Sequence, residues 1–203
     1  MCGIFGILNS KTNILKSDII SLAMYAQERG SDSSGLMYYK DGAYKTINGD
    51  IPISKLITKA GCSDSKFIAG HSRLATNGTN DNQPVHKSGM VAIHNGIICN
   101  TDGLWNGRES SRELTIDTEI IPVIIEEEKA KGKSLGAIEE SLFTQCEGVI
   151  SAAVLDSKCG DLLLFSNNGS LYTGVKNDGF YFASESWPLT QVGCESIKQI
   201  KGS

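Results

Sequence analysis

Cys2 stands where one residue can supply both halves of a nucleophilic pair. Once Met1 is removed, the cysteine carries a free α-amine beside its thiol. The amine titrates near about 7.7–8.0 and a free thiol near about 8.5, so the residue holds a nucleophile and a base matched to neutral pH, the logic of an N-terminal threonine activated by its own amine. A Met-Cys start by itself is more often a small, inert cysteine buried in a strand. Four further segments bear on the choice. Arg29-Gly30-Ser31-Asp32-Ser33-Ser34-Gly35 is polar and glycine-flanked; Gly70-His71-Ser72-Arg73-Leu74-Ala75-Thr76-Asn77-Gly78 sets an arginine and a threonine in what reads as a glycine-bounded loop; His94-Asn95-Gly96-Ile97-Ile98 places Asn-Gly at the end of an apolar strand; and Ile116-Asp117-Thr118-Glu119 opens a helix with carboxylates, where the helix dipole favours them. Taken singly, each is satisfied by turn chemistry, a hairpin loop or a helix cap.

The elements that must position these residues are legible in part. Cys2 to Leu8 reads as a buried strand. Ser17 is expected to cap a helix that presents Ile19, Leu22, Ala23 and Ala26 at helical spacing and stops at Gly30. Residues 35–40 and 43–47 flank Asp41-Gly42, a strong hairpin signal, and a strand is expected at 90–93. Residues 115–131 read as a helix, kinked or started late by Pro122, and 134–146 as another. Short strands follow at 149–155, 162–166, 171–175 and 180–184. Strands at both ends with helices between them favour an α+β layered architecture over a βαβ repeat. No repeat, low-complexity tract or Pro/Ser-rich linker divides the 203 residues, which are read as one domain, 1–203.

Composition narrows the classes of function. With 40% hydrophobic and 21% charged residues, the chain has an ordinary globular balance and length enough to bury a core. The net charge of −4, with no run of Lys or Arg, makes nucleic acid and anionic membranes poor partners. The six cysteines, at 2, 62, 99, 146, 159 and 194, form no CxxC pair or Cys/His cluster, so no metal is expected. The N-terminus has no basic region followed by an apolar run. The longest aliphatic stretch, 120–125, contains Pro122 and is too short to span a bilayer. A reducing, cytoplasmic setting is the expectation.

In order and spacing together, the Cys2 start and the four segments resemble the glutaminase domain of class II glutamine amidotransferases, most like the glutaminase half of the glucosamine-6-phosphate synthases. The resemblance runs from Cys2 to at least Glu119. It implies a four-layer αββα N-terminal-nucleophile hydrolase sandwich whose first strand carries the nucleophile, with Met1 removed, no cofactor, and L-glutamine as substrate. It also implies the roles. Cys2 attacks the side-chain amide. Asn95 (side chain) and Gly96 (backbone N–H) form the oxyanion hole, and Arg29 supports the surroundings of the nucleophile. Arg73, with its planar fork, and Thr76 hold the α-carboxylate, and Asp117 the α-ammonium. Gly30, Asp32 and Gly35 are expected to shape the backbone, and His71 and His94 to orient rather than to act as base. The sequence of events is a γ-glutamyl thioester, release of ammonia, and hydrolysis to glutamate.

The departures lie around the pocket. Leu74 stands where the resembled enzymes have tryptophan, Asn77 replaces a histidine and Cys99 an acidic residue, which bears on loop closure more than on glutaminase chemistry. The sugar-isomerase half of those enzymes has no counterpart here, so a separate synthase, an acceptor protein or a further C-terminal domain is the expected partner. The same chemistry serving a phosphoribosylamine or asparagine synthase is the second reading. A non-catalytic glutamine sensor would need neither Cys2 nor the Asn95-Gly96 pair, and an N-terminal-nucleophile hydrolase of another amide would not need the Arg73/Thr76/Asp117 set.

Overall fold

The computed structural model describes residues 2–62, 64–74 and 81–202. Met1, Thr76 and Asn77 therefore lie outside the described residues. In chain order the elements are β1 (Gly3–Leu8), α1 (Lys16–Glu28), β2 (Ser33–Lys40), β3 (Ala43–Gly49), α2 (Ile53–Ala60), β4 (Phe67–Arg73), β5 (Val85–Lys87), β6 (Met90–Ile98) and α3 (Thr101–Leu104). A 3-10 turn at Asp117–Glu119 follows, then α4 (Ile120–Ala130), α5 (Leu135–Gln145), β7 (Gly148–Asp156), β8 (Leu162–Ser166), β9 (Tyr172–Lys176), β10 (Gly179–Ala183), α6 (Ser186–Gln191) and β11 (Glu195–Gln199).

The strands form two antiparallel sheets, one of seven strands ordered β11-β9-β10-β1-β4-β2-β3 and one of four ordered β5-β6-β7-β8. The two-residue alternation of side chains along each strand sorts the core into three layers. Phe5 and Ile7 of β1, with Leu36 and Ile68, face the stripe Ile19, Leu22, Ala23 and Ala26 of α1 and Ile53, Leu56 and Ile57 of α2. Ile4 of the same strand points the other way and joins Met37, Ala69, Phe182, Val91, Ile93, Ala153 and Leu155 between the sheets. Ala92, Ile150, Ala152 and Val154 meet α4 and α5 on the far side of the smaller sheet. The result is the expected α+β, four-layer αββα sandwich. Burying a side chain the size of Phe5 contributes about 1.5–3 kcal/mol, which makes β1 one of the best-anchored strands. No helix among the described residues is long and apolar enough to cross a membrane.

Local readings hold where the pattern is local. Asp41 and Gly42 both have positive φ, and Lys40 pairs with Ala43 in the expected tight hairpin. Ser134 caps α5, accepting from the Ala137 N–H. Pro122 sits in the first turn of α4, where its missing N–H costs little, and the late start falls at Ile120 after the 3-10 turn.

Three expectations need correction. Ser17 is not the cap of α1, which begins at Lys16 with no side-chain cap. Instead Asp18, buried in the first turn, accepts from Lys176 Nζ at 2.7 Å and the Tyr181 hydroxyl at 2.9 Å, tying the helix to the sheet. Arg73 ends a strand rather than lying in a loop: residues 67–73 form β4, held between β1 and β2. Covered by neighbours on both sides, this segment has no need of an alternating pattern. Asn95-Gly96 lies within β6, not at its end, because β7 pairs with β6 continuously from Met90↔Asp156 to Ile98↔Gly148.

Candidate active site

The start of β1 is pinned from three directions. Ile4 N–H donates to Ser184 Oγ at 2.9 Å and Ser184 N–H to the Ile4 carbonyl at 2.9 Å, fixing β1 against the end of β10. Arg29, at the C-terminal end of α1, donates from Nε to the Cys2 carbonyl at 2.8 Å and is ion-paired with Glu185. Arg29 therefore holds the backbone that carries Cys2. On the other side of β1, Gly3 pairs with Ser72, and Ser33 of β2 pairs with Arg73. Continuing that register brings Cys2 level with Arg73.

A cavity of about 420 Å³ opens at this corner, a volume in the range of small-molecule sites. Cys2, Arg73, His94, Gly96 and Asp117 all line it. Five of the residues singled out from sequence thus come together, although they come from the start of β1, from β4, from β6 and from the 3-10 turn. Asn95 precedes Gly96 on β6; it is buried, and its carboxamide makes no hydrogen bond to another described residue. Arg29 stands behind Cys2 and does not line the cavity. Leu74 and Cys99, two of the departures, are both at the cavity wall and exposed. A second cleft of about 200 Å³ between α1 and α2 contains Cys62, but burial pushes that thiol up, and neither an arginine nor a carboxylate lines it.

The two ends of the cavity differ chemically. Arg73 donates from Nη1 to the Asp81 carbonyl at 2.6 Å, which holds the guanidinium at the wall. Asp81 is in turn latched across the cavity rim by Thr115, whose backbone N–H and hydroxyl both reach its carboxylate at 2.5 Å; that holds the Asp81 carboxyl below its usual range. Asp117 accepts the Ile98 N–H on Oδ2 at 2.8 Å, and its Oδ1 lies 4.0 Å from His94 Nδ1. A positive fork and a carboxylate thus line the same cavity as Cys2.

Gly96 is the residue that no other type could replace. Its φ is +156°, and a Cβ there would lie 1.8 Å from the Val149 carbonyl oxygen. Only glycine lets β6 run that close to β7 with its amide at the cavity. Gln83, Asp81, Thr115 and Ser184 were missed from sequence. Their side chains act through hydrogen bonds to elements distant in the chain, and no local pattern marks them.

Both histidines beside the site are neutral. Burial drives His94 below its ordinary value, partly opposed by Asp117. Its Nε2 lies 3.1 Å from the Val149 carbonyl, which can only accept, so the proton is on Nε2. His71 is fully buried with no hydrogen-bond partner at either ring nitrogen, and burial, reinforced by His94 and Arg73, pushes it down to about 3. The unfolded chain takes up a proton at this position near pH 6.5 while the folded chain does not, so stability is present above pH 6.5 and is lost as pH falls towards 3. At about 1.4 kcal/mol per pH unit, His71 accounts for a loss of about 2 kcal/mol between pH 6.5 and 5. Urea unfolding of the protein and of His71→Phe at pH 7 and pH 5 measures it. The variant should lose that part of the pH dependence; an unchanged slope counts against a neutral buried His71.

The sequence and the fold are similar to those of known proteins. A family model described as a glutamine amidotransferase domain matches residues 71–191. The glutamine–fructose-6-phosphate aminotransferase (isomerizing) of Thermotoga maritima is 29% identical over 201 residues, covering 93% of this chain and 32% of that protein. The one from Sulfolobus acidocaldarius is 31% identical over 201 residues, covering 91% and 33%. The chain thus spans about a third of the length of these curated relatives. Among solved structures, the glutamine phosphoribosylpyrophosphate amidotransferase of B. subtilis superposes with a TM-score of 0.76 at 20% identity, covering 98% of this chain and 45% of that one. A predicted glutamine amidotransferase from Pseudomonas aeruginosa gives 0.58 at 15% identity, covering 100% and 95%. At those identities the likeness is one of fold.

Proposed function

The chain belongs to the glutamine amidotransferase domain family, and from that premise we propose that it hydrolyses L-glutamine to glutamate and ammonia with Cys2 as the nucleophile. What carries the reading is that Cys2, Arg73, Gly96 and Asp117 line one cavity although four separate elements bring them there. With Met1 removed, the α-amine accepts the thiol proton as Sγ attacks the amide carbon. The oxyanion that forms is met by the Asn95 carboxamide and the Gly96 N–H. The C–N bond breaks, the proton passes to the departing nitrogen, and ammonia leaves a γ-glutamyl thioester. Water then adds to the thioester carbon, the C–S bond breaks, and glutamate and the thiol are restored. Arg73 takes the α-carboxylate and Asp117 Oδ1 the α-ammonium. Thr76 is assigned to the carboxylate by its place in the motif.

The test is an assay of the purified chain with glutamine, measuring ammonia and glutamate together. Equimolar release of both supports hydrolysis; glutamine binding with neither product would make the chain a sensor. Cys2 is superfluous to a sensor, which favours catalysis. Ammonia is produced for use elsewhere, and we assign its consumption to a synthase, either a separate protein or a further domain, because the relatives are about three times as long as this chain. A phosphoribosylamine-forming acceptor is the second choice, supported by the fold likeness to the B. subtilis enzyme. A thiol nucleophile needs reducing conditions, and we place the protein in the cytoplasm.

Binding and chemistry should separate by residue. Loss of a charge-assisted hydrogen bond costs about 1.5–3 kcal/mol, so Arg73→Ala and Asp117→Asn are expected to raise KM by roughly 10–150-fold. Part of kcat should survive at saturation. Asn at 117 keeps an acceptor for the Ile98 N–H, so the change reports on charge. Steady-state kinetics that showed a fall in kcat with KM unmoved would remove these residues from substrate binding.

A further inference from the structure

The pairing of β5 with β6 stops at Val85↔Ala92. Two residues further along that register, position 83 stands opposite His94. The strand ends at Val85, so the backbone ladder stops short of His94. Without another partner, the buried His94 N–H and carbonyl on this edge of β6 would be left unpaired, at a cost of about 1–3 kcal/mol for each group.

The Gln83 side chain fills that place. Its Oε1 accepts the His94 N–H at 2.5 Å and its Nε2 donates to the His94 carbonyl at 3.0 Å, so one carboxamide makes both bonds that a strand residue would make. The residue is 5% exposed. The backbone of Gln83 is equally constrained: it lies so close to β2 that a Cβ at Gly35 would be 1.9 Å from the Gln83 carbonyl oxygen. Gln83 therefore touches both sheets at once. On one side is β2, whose Ser33 pairs with Arg73; on the other is the strand that continues into Asn95 and Gly96. It also lines the cavity.

We propose that Gln83 is a positioning residue, a side-chain clamp that sets the oxyanion donors of β6 at the height of the nucleophile on β1. This rests on the glutaminase reading of the site. A buried glutamine that merely satisfied its own polar atoms could bond anywhere; this one bonds the backbone one residue before Asn95, from a segment braced on the other sheet. An oxyanion hole acts through placement, and a displacement of about 1 Å can cost about 100-fold. The Gln83 clamp should therefore show in kcat more than in KM, because Arg73 and Asp117 reach the substrate from other elements.

Gln83→Leu keeps the volume and removes both bonds. Its kcat for glutamine hydrolysis is expected to fall roughly 10–100-fold with KM within about threefold. Gln83→Glu keeps the acceptor for the His94 N–H but sets a carboxylate against the His94 carbonyl at neutral pH. As pH falls and the carboxyl protonates, donation to that carbonyl returns, so its kcat relative to the native protein should rise. Amide hydrogen exchange at His94 reads the clamp without reference to activity and should accelerate in Gln83→Leu. Unchanged His94 exchange, a change confined to KM, or a Gln83→Glu pH profile parallel to the native one would each overturn the proposal. If the native chain releases no ammonia, the glutaminase reading falls, and exchange at His94 then decides the clamp alone. Should Gln83→Leu fail to fold, Gln83→Glu carries the kinetic test.

Discussion

Cys2→Ala is expected to abolish glutamine hydrolysis and to leave the fold intact. The first half follows from covalent chemistry: without Sγ no thioester forms, and loss of the nucleophile in a serine hydrolase has cost on the order of 10⁶ in kcat. The second half follows from where the residue sits. Cys2 is half-buried just before β1, and the bond that holds it runs from Arg29 to its backbone carbonyl, which alanine retains. Ammonia release and a thermal melt on the same preparation check both, and more than a trace of activity in the variant excludes Cys2 as nucleophile. A glutamine-like electrophile provides a sharper form of the test. Burial pushes the thiols of Cys146 and Cys194 up to about 12 and about 11, and that of Cys62 up as well, so none of them competes. Cys159 is exposed but does not line this cavity, whereas Cys99 is exposed on it and is the informative rival; labelling there would move the nucleophile from the start of β1 to the end of β6. The labelled, active protein should also have the intact mass of a chain beginning at Cys2, since a retained Met1 turns the amine into an amide with no basic lone pair.

What could be read beforehand was whatever the chain states locally. The Asp41-Gly42 hairpin, the α1 stripe and the helix expected over 134–146 depend on residues within a few positions of one another, and each appears where expected. Residues 70–73 read as loop in the sequence because Gly70, His71 and Ser72 satisfy no strand pattern until β1 and β2 cover them. The same holds for Asn95-Gly96: in a sequence it signals a turn, and in the fold it is the place where β6 presses against β7. Residue type disclosed Arg73 and Asp117 as holders of opposite charges, and the resemblance supplied their roles, but only the sheet register brings Arg73 level with Cys2. Gln83 was illegible for the opposite reason. A glutamine before a proline looks like an ordinary loop, and its meaning lies in a strand edge eleven residues away.

Asn95→Ala should lower kcat by about 10²–10³ without lowering stability, a combination that few buried polar residues would give. Its carboxamide has no hydrogen bond to another described residue, so truncation breaks none and costs the folded state only a little packing. The bond it makes belongs to the oxyanion, and removal of one such donor elsewhere costs that factor. Because the interaction strengthens as charge develops, KM should move little. Gly96→Ala provides the contrast on the next residue. The added methyl would lie 1.8 Å from the Val149 oxygen and 2.6 Å from His94 Nε2, at a φ of +156° that alanine rarely adopts. The strand must shift, so stability should fall by about 1–3 kcal/mol and kcat should fall at least as far as in Asn95→Ala, since the displaced amide is itself the second donor. Urea unfolding together with steady-state kinetics on the pair separates the two effects. If Asn95→Ala were as unstable as Gly96→Ala, its carboxamide would be part of the scaffold; if Gly96→Ala kept full kcat, the amide at 96 would not face the oxyanion and the hole would have to be built elsewhere on β6.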